Sequence, residues 1–428
     1  GTVALASGAT QTGFGRTGTV DWQTTVQTST PFTAVSGKGY FINTTSGAIT
    51  MNLPSSPSVG DIVSFKDYAR TFDTNALTVG RGGSNMDGSA ADSGFNTEGL
   101  SATLIYMDAT KGWSLINDDA TSQVGASFIA ATGGNTTVTC GNFKIHVFTG
   151  PGTFCVSSVG NPAGSTTVDY LVVAGGGGAQ DGGGGAGGFR ISGGTASGCY
   201  AVSPLGSSPS PVAALPVSVQ GYSIVVGGGG AGYPGNNPGS VSTFSTITSA
   251  GGGSGNAGSA PVIAGASGGG KGGSNGAGGT GNTPPVSPPQ GNPGGTSAGG
   301  PQAKGSGGGG AGAAGGTNNT GTPAAGAGGA GSYTAIYNHP SVGEPGPVPG
   351  TRYFAGGGGG AGEVPTYAGA DGGVGGGGNG LANGPGSPIA HGGGQDATIN
   401  MGGGGGGVWW GENGNGSSGI VILRYKFQ

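Results

Sequence analysis

Residues 168–190 read VDYLVVAGGGGAQDGGGGAGGFR, and this stretch joins two different kinds of sequence. Its first six residues are mostly apolar and β-branched, which is typical of a buried strand. Glycine tracts follow directly and recur to the end of the chain. Residues 1–168 contain 24 of the 111 glycines, and residues 169–428 contain the other 87. Composition therefore divides the chain of 428 residues near Thr167.

The glycine-rich region has the glycine content of collagen but lacks its pattern. A collagen triple helix needs glycine at every third position, and Ala179-Gln180-Asp181 after four glycines breaks that register. A flexible linker is a second interpretation, and a disordered or amyloid-like low-complexity tract is a third. Strand-like runs at residues 168–173 and 419–425 bracket the region, and a linker would not need them. We expect an ordered region in which these two strands lie near each other and close it.

An ordered glycine region needs a stabilising contribution other than side-chain burial. Glycine loses more backbone freedom on folding than any other residue, so hydrogen bonds between neighbouring backbones must compensate. An extended left-handed helix with about three residues per turn has no internal hydrogen bonds, and several can bond side by side if no Cβ separates them. The interior is then predicted to be glycine with some Ala or Ser, and larger residues are predicted at turns or outside.

The first 168 residues predict an all-β structure. Residues 1–30 are predicted to be an extended connector and residues 31–120 a β-rich module, an antiparallel sandwich or barrel, because short strands recur about every ten residues. Its predicted strands are at residues 40–42, 48–53, 61–65, 76–79, 101–106 and 112–116. Residues 121–168 are predicted to form a smaller β module, and residues 169–428 the glycine-rich domain, with a hairpin near 222–247. No segment has a sustained helical period, so essentially no α-helix is expected.

Charge and cysteine content exclude several classes of protein. The net charge is −4, only 7% of residues are charged, and no basic cluster is present, so neither nucleic acid nor membrane insertion is expected. The chain begins with Gly1, which suggests a processed or partial product. Cys140 and Cys155 could bridge one hairpin, but free buried thiols are favoured for the three cysteines, which include Cys199.

Catalytic and metal-binding patterns are weak in this sequence. His146, His339 and His391 are scattered, and His146 is expected to be a half-exposed structural residue of a strand. Glycine-rich phosphate and nucleophile motifs have almost no specificity in such a composition. Three acidic residues could hold calcium, but a solvated loop is favoured for them: Asp87, Asp92 and Glu98. We predict no enzyme activity, no metal and no cofactor.

Aromatic residues in the glycine-rich region are the candidate functional residues. They adjoin glycine tracts or lie in predicted loops, where a rigid scaffold commonly carries recognition. On such loops they could stack on sugars or form hot spots for a protein partner, or they could simply seal the ends of a glycine stack. The candidates are Tyr233, Tyr333, Tyr337, Tyr353, Tyr367, Trp409 and Trp410, with Phe354 beside them.

Two parts of the sequence resemble bacteriophage proteins. The segments 37–61, 71–85 and 108–113 resemble a module of tail fibres and related virion proteins of aquatic phages, cyanophages among them. Residues 168–178 and 184–190, with the closing run 419–425, are similar to the glycine-rich domain of phage fibres and adhesins. The resemblance implies a core of packed polyglycine II helices with variable loops at the tip that contact a receptor. It identifies no individual binding residue.

The resemblance favours a tail fibre or adhesin on the virion surface, outside the cell. Its expected partners are other virion proteins and a host cell-surface glycan or outer-membrane protein. A homo-oligomer such as a trimer is expected, with a monomer at a fibre tip as the alternative that some glycine-rich adhesins provide. Two alternatives stay open from the sequence. One is a capsid decoration or head-fibre protein with the glycine-rich domain as a spacer, and the other is a subunit of an extracellular filament.

Overall fold

The computed structural model of the protein describes residues 20–116, 126–161, 164–198, 200–234, 237–258, 260–299, 304–318, 324–363, 368–382, 393–409 and 411–428. The chain divides into two compact units, Gly1–Ser127 with Gly160–Gly164, and Phe128–Val159 with Ser165–Gln428. This division does not follow the change in composition near Thr167. Strands formed by residues before Thr167 pair with strands formed by residues after it, so residues 128–159 belong to the second unit.

The described residues of the first unit form nine strands in two sheets. The strands are β1 (Asp21–Trp22), β2 (Phe32–Thr33), β3 (Lys38–Ile42), β4 (Ile49–Asn52), β5 (Ile62–Asp67), β6 (Leu77–Gly80), β7 (Ser93–Phe95), β8 (Ser101–Asp108) and β9 (Gly112–Leu115). Sheet A has the order β1-β3-β5-β8-β9, and sheet B has the order β2-β4-β6-β7. The six runs predicted from sequence all coincide with strands, whereas β1, β2 and β7 were not predicted.

The prediction of purely antiparallel pairing is wrong for this unit. The pairs β1–β3 and β3–β5 in sheet A are parallel, and so are β2–β4 and β4–β6 in sheet B. A parallel pair needs a crossover connection, and here a strand of the opposite sheet provides it. From β1 to β6 the chain alternates between sheets A and B. After that, β7 pairs antiparallel with β6, β8 with β5, and β9 with β8. No sheet formed by the described residues closes into a barrel.

The apolar faces of sheets A and B form one core. Phe65 of sheet A packs edge-on against Phe95 of sheet B, with ring centroids 4.8 Å apart. Trp113, in β9, is completely buried in the same cluster. The alternating burial of β4 explains how so short a strand is fixed, because Ile49 and Met51 point inward and their neighbours do not.

Thirteen strands and one helical turn are formed by the part of the second unit that the structure describes. The elements are β10 (Ala130–Thr132), β11 (Thr136–Cys140), β12 (Phe143–Phe148), β13 (Gly152–Ser158), β14 (Thr167–Val173), β15 (Phe189–Ile191), α1 (Pro204–Ser207), β16 (Leu215–Pro216), β17 (Gly221–Val225), β18 (Ser242–Phe244), β19 (Ile247–Ser249), β20 (Ser332–Thr334), β21 (Arg352–Phe354) and β22 (Ile420–Lys426). Sheet C has the order β10-β13-β17-β18-β19, and sheet D has the order β11-β12-β22-β14-β15, with β16 beside β14. The expectation of almost no helix is confirmed for the described residues.

The two strands that bracket the glycine-rich region are neighbours in sheet D. β14 and β22 pair antiparallel, and Val173 lies opposite Ile420 where the glycine-rich region leaves and rejoins the sheet. Both faces of this strand pair are buried. One face packs with sheet C around Phe154 and Tyr425. The other packs with residues of the glycine-rich region, including Phe189 and Phe354. Sheet D therefore anchors the region at both ends.

The glycine tracts are joined by backbone hydrogen bonds whose partners repeat every three residues. In the tract 356–361, the N–H groups of residues 356 and 359 donate to the segment 375–378, and those of 357 and 360 donate to 326–329. Those of 358 and 361 donate to 181–184. The N···O distances are 2.9–3.1 Å. In the tract 305–310, N–H groups three residues apart again donate to the same segment. The three accepting segments are 358–361, 268–271 and 313–316. Each tract is thus bonded in three directions.

Close approach of the tract backbones explains why glycine occupies their interior. A Cβ atom on Gly230 would overlap the carbonyl oxygen of Asn237, and one on Gly176 would overlap that of Gly403. These positions also hold the network together, because the Gly230 N–H donates to the Gly176 carbonyl at 2.9 Å. By contrast, a Cβ on Gly228 would meet nothing within 4 Å.

His146 is fully buried, so the prediction of a half-exposed residue is wrong. It lies in β12 between sheets C and D, where its ring stacks on Tyr425 at 5.7 Å between centroids. Nδ1 lies 2.7 Å from the Gly133 carbonyl oxygen, which only accepts, so Nδ1 donates and Nε2 accepts from the Tyr425 hydroxyl at 3.1 Å. Burial lowers the pKa of His146, although the bond to Gly133 opposes this effect.

Cys140 and Cys155 are free, as favoured from the sequence, but both are exposed and not buried. Cys140 ends β11 at the edge of sheet D, and the side chains of β13 alternate so that Cys155 faces outward. Cys199 lies outside the described residues.

Two alanine substitutions two residues apart test the close packing of the tracts. Gly230→Ala should lower the free energy of unfolding by about 3 kcal/mol, because its Cβ has no room beside Asn237. Gly228→Ala should be neutral or stabilise by about 0.5 kcal/mol, because the site is open and alanine restricts the unfolded chain. Thermal unfolding followed by circular dichroism measures both. Equal stability of the two variants would contradict the packing described above.

The buried His146 should make the second unit less stable in mild acid. Its folded pKa is below the ordinary value of 6.5, so as pH falls through 6.5 the unfolded chain takes up a proton that the folded chain does not. The unfolding temperature of the parent chain should therefore fall further, or rise less, between pH 7.5 and 5.5 than that of His146→Gln. His339→Gln is the matched control, because His339 is an exposed histidine of the same unit.

Candidate functional site

The second unit contains a pocket of about 450 Å³ where several glycine tracts end. Four turns contribute to it. One follows residues 174–179, one follows 227–232, one follows 251–256 and one follows 402–407. The residues that line the pocket are Gln180, Asp181, Tyr233, Ala257, Gly258, Trp409, Gly411 and Asn413. Two of the aromatic candidates, Tyr233 and Trp409, therefore share one site.

The sequence places large side chains in these turns because the tract interior cannot hold them. Gln180 and Asp181 are the only residues larger than alanine between Val173 and Phe189. They form the turn between two glycine tracts, where the Gln180 N–H donates to the Gly182 carbonyl at 3.1 Å. The bulky residues excluded from the stack thus collect at its end.

Asp181 is the acidic residue of the pocket, and it is largely buried at 9% exposure. Its Oδ2 accepts the Gly258 N–H at 3.2 Å. Burial raises the pKa of Asp181 to about 6, and the Gly258 hydrogen bond and the charge of Lys271 act in the opposite direction. The carboxyl group consequently titrates close to neutral pH.

Lys271 supplies positive charge close to this carboxyl group. Its Nζ donates to the carbonyl oxygens of Gly258 and Ala260 at 3.0 and 3.3 Å. Burial lowers the pKa of Lys271, and Asp181 raises it. Because Gly258 lines the pocket and accepts from Lys271, opposite charges lie on either side of this loop.

The aromatic side of the pocket is held by hydrogen bonds from asparagine side chains. Asn413 Oδ1 accepts the Val408 N–H at 2.7 Å, which fixes the turn that carries Trp409. Asn415 Oδ1 accepts the Gly232 N–H at 2.8 Å, which ties the turn carrying Tyr233 to the same segment. Trp409 is half-buried, whereas Tyr233 is 65% exposed. The two turns are thus connected to each other behind their aromatic side chains.

The other aromatic candidates lie elsewhere. Tyr333 in β20 and Tyr353 in β21 pair across a hairpin, with ring centroids 5.5 Å apart, and Tyr353 is buried. Tyr337 stacks on His339 at 5.3 Å in the loop between these strands. Phe354 is a completely buried core residue. Tyr367, Trp410 and His391 lie outside the described residues.

Sequence reasoning missed the polar part of the pocket, Gln180, Asp181 and Asn413. The available signal was the pair Gln180-Asp181, which interrupts an otherwise glycine and alanine run. The interruption excludes collagen, but by itself it does not indicate that the turn forms part of a pocket.

Within the described ranges, no group of three or more His, Cys, Asp or Glu residues is arranged to hold a metal ion. The three acidic residues considered for calcium each have a protein partner: Asp87 accepts from the Ser114 hydroxyl, Asp92 from the Arg81 N–H, and Glu98 from Arg70 Nε. No helix among the described residues has the length and apolar character needed to span a bilayer.

Replacing Asp181 with asparagine should stabilise the protein at pH 8. The folded pKa of about 6 exceeds the ordinary 3.8, so the folded chain loses stability as pH rises from about 4 through 6 and bears the full cost above 6. The amide side chain of Asp181→Asn would keep an acceptor for Gly258 and remove the charge, a gain of about 3 kcal/mol at pH 8. Thermal melts at pH 4 and pH 8 measure it, and an equal effect at both values would contradict the assignment.

A family model described as a glycine-rich domain matches residues 148–426, well over half of the chain. The match begins at the end of β12 and ends at the last residue of β22, so it includes sheet D's central strand pair and the pocket. No curated protein matches the chain. The chain belongs to the glycine-rich domain family.

Proposed function

We propose that this protein is a virion surface protein, a phage tail fibre or adhesin, that binds a receptor on the host cell through loops of its glycine-rich domain. The observation that supports this most is the pocket of about 450 Å³ that joins Tyr233 and Trp409 with the buried Asp181. Small-molecule sites have volumes of about 300–1,000 Å³ and combine aromatic walls with a few polar groups. The pocket has this composition and size.

We further propose that the glycine tracts are polyglycine II helices. Two observations support this assignment. The hydrogen-bond partners of residues 356–361 and 305–310 repeat every three residues, which is the number of residues per turn in this helix. The tract interior also has no room for Cβ atoms at positions such as Gly176 and Gly230.

A stack of such helices would suit recognition because it fixes its turns without large side chains. Each tract is bonded in three directions, so a turn between two tracts is held at both ends. Binding through turns that are already ordered loses less conformational entropy than binding through mobile loops. The glycine-rich core would therefore be the support, and the turns would be the part that contacts the receptor.

The proposed role is binding and not catalysis. Asp181 is the only acidic residue among the described residues that line the pocket, whereas glycoside hydrolysis generally uses a pair of carboxylates. The proposed partners are a host cell-surface glycan or outer-membrane protein and other virion proteins. The resemblance of residues 37–113 to tail-fibre modules supports a location on the virion and a homo-oligomer such as a trimer.

Saturable binding to whole cells tests the proposed function. The full chain, labelled with a fluorophore at an exposed lysine, is incubated with a panel of aquatic bacterial strains, including cyanobacteria, and analysed by flow cytometry. Binding to a subset of strains is expected, with competition by unlabelled chain. The same label on a folded globular protein of similar size is the control.

Absence of saturable binding to every strain, by protein that unfolds cooperatively in a thermal melt, would contradict a receptor role. Assembly of the purified chain into filaments would instead favour an extracellular filament subunit. Hundreds of copies per particle, counted on purified virions, would favour a capsid decoration protein.

A further inference from the structure

The pocket at the end of the glycine tracts combines groups of opposite chemical character. The aromatic residues Tyr233 and Trp409 line it together with the polar residues Gln180, Asp181 and Asn413. Amide groups both donate and accept hydrogen bonds, and a carboxylate accepts. A ligand that matches this lining needs an apolar face for the rings and several hydroxyl groups at its edge. A pyranose sugar has both features.

The charges around the pocket disfavour a strongly charged ligand. No Lys, Arg or His is among the described residues of the lining, so a carboxylate or sulfate group on a ligand would lack a cationic partner there. Asp181 would attract a cation, but Lys271, bonded to the Gly258 carbonyl, lies within electrostatic reach of that carboxyl group. The local charge is therefore close to balanced.

Hydrogen bonds within the chain hold the described residues around the pocket. The Asn413 and Asn415 side chains accept the N–H groups of Val408 and Gly232, the chain neighbours of Trp409 and Tyr233. Asp181 is held by the Gly258 N–H through its side chain and by the Ala361 N–H through its carbonyl, at 3.2 and 2.9 Å. A preformed site of this kind can orient a rigid ring.

We infer that the pocket lined by Gln180, Asp181, Tyr233, Trp409 and Asn413 binds an uncharged pyranose of a cell-surface glycan. This inference rests on the proposed receptor-binding function and narrows it to one site and one class of ligand. Trp409 and Tyr233 provide the stacking faces, and Asp181 accepts hydrogen bonds from ring hydroxyls.

An array of immobilised glycans tests the class of ligand. The full chain is applied at pH 7.5 to neutral hexoses, N-acetylhexosamines, uronic acids, sialic acids and amino sugars. Binding to one or more neutral glycans is expected, and isothermal titration with that sugar gives its affinity. Binding confined to acidic or amino sugars, or to none of the glycans, would overturn the inference.

Three variants locate the binding site. Trp409→Ala and Asp181→Asn should each weaken binding of the neutral sugar by about tenfold, the loss expected of a central contact. Tyr68→Ala is the matched control, because Tyr68 is an exposed tyrosine of the first unit at 58% exposure, close to the 65% of Tyr233. It should change the affinity by less than about twofold, within the ordinary effect of a remote surface change.

The variants also separate this inference from the proposed function. Asp181→Asn is expected to be more stable than the parent chain at pH 7.5, so its loss of sugar binding would not come from unfolding. If the parent chain and Trp409→Ala bind cells equally well, the receptor role stands and the pocket is not its site. If the chain binds a neutral sugar but no cells, the pocket inference stands and the receptor role fails.

Discussion

The structure of the second unit depends on one constraint, the distance at which glycine backbones approach each other. An N–H group of one tract reaches a carbonyl of the next at about 2.9 Å only when no Cβ lies between them. Large side chains that interrupt the tracts, such as those of Gln180 and Asp181, therefore lie in turns between them. That displacement is why Gln180, Asp181 and Trp409, from distant parts of the chain, meet at one pocket.

Sheet D gives the glycine-rich region its start and its end. Alternate residues of β14 belong to different cores, with Val172 on the side of sheet C and Leu171 on the opposite side. A shift of the β14–β22 register by one residue would turn each of these side chains toward the opposite core, where it would not pack correctly. Side-chain packing in sheet D thus fixes the two ends of the glycine-rich region, which has few large side chains of its own. Between those ends, backbone hydrogen bonds join the tracts.

Much of this arrangement could be predicted from the sequence, and the failures have identifiable causes. The apolar runs at 168–173 and 419–425 indicated their strands, because a period of two or a continuous apolar run is a local signal. Parallel pairing in the first unit was missed because the residue patterns of β3 and β5 are compatible with either a parallel or an antiparallel pair. The relative direction of these strands is set by the chain path between them through β4, a strand of the other sheet. The sequence indicated only the aromatic residues of the pocket, because these are conspicuous among glycines. Asp181 was not predicted as a site residue because Gly258 and Asn413, which line the pocket with it, are far away in the chain.

The three-residue repeat of hydrogen bonds makes tracts and turns respond differently to change. Inserting one residue within 356–361 would shift every later N–H by one position in the three-residue repeat and so pair it with a different neighbour. The turn at 180–181 shares in this network, because the Asp181 carbonyl accepts the Ala361 N–H. A changed side chain in the turn leaves these backbone bonds in place, whereas a changed tract length does not. A protein built this way can vary the side chains around a pocket without altering the backbone bonds of the core that holds them.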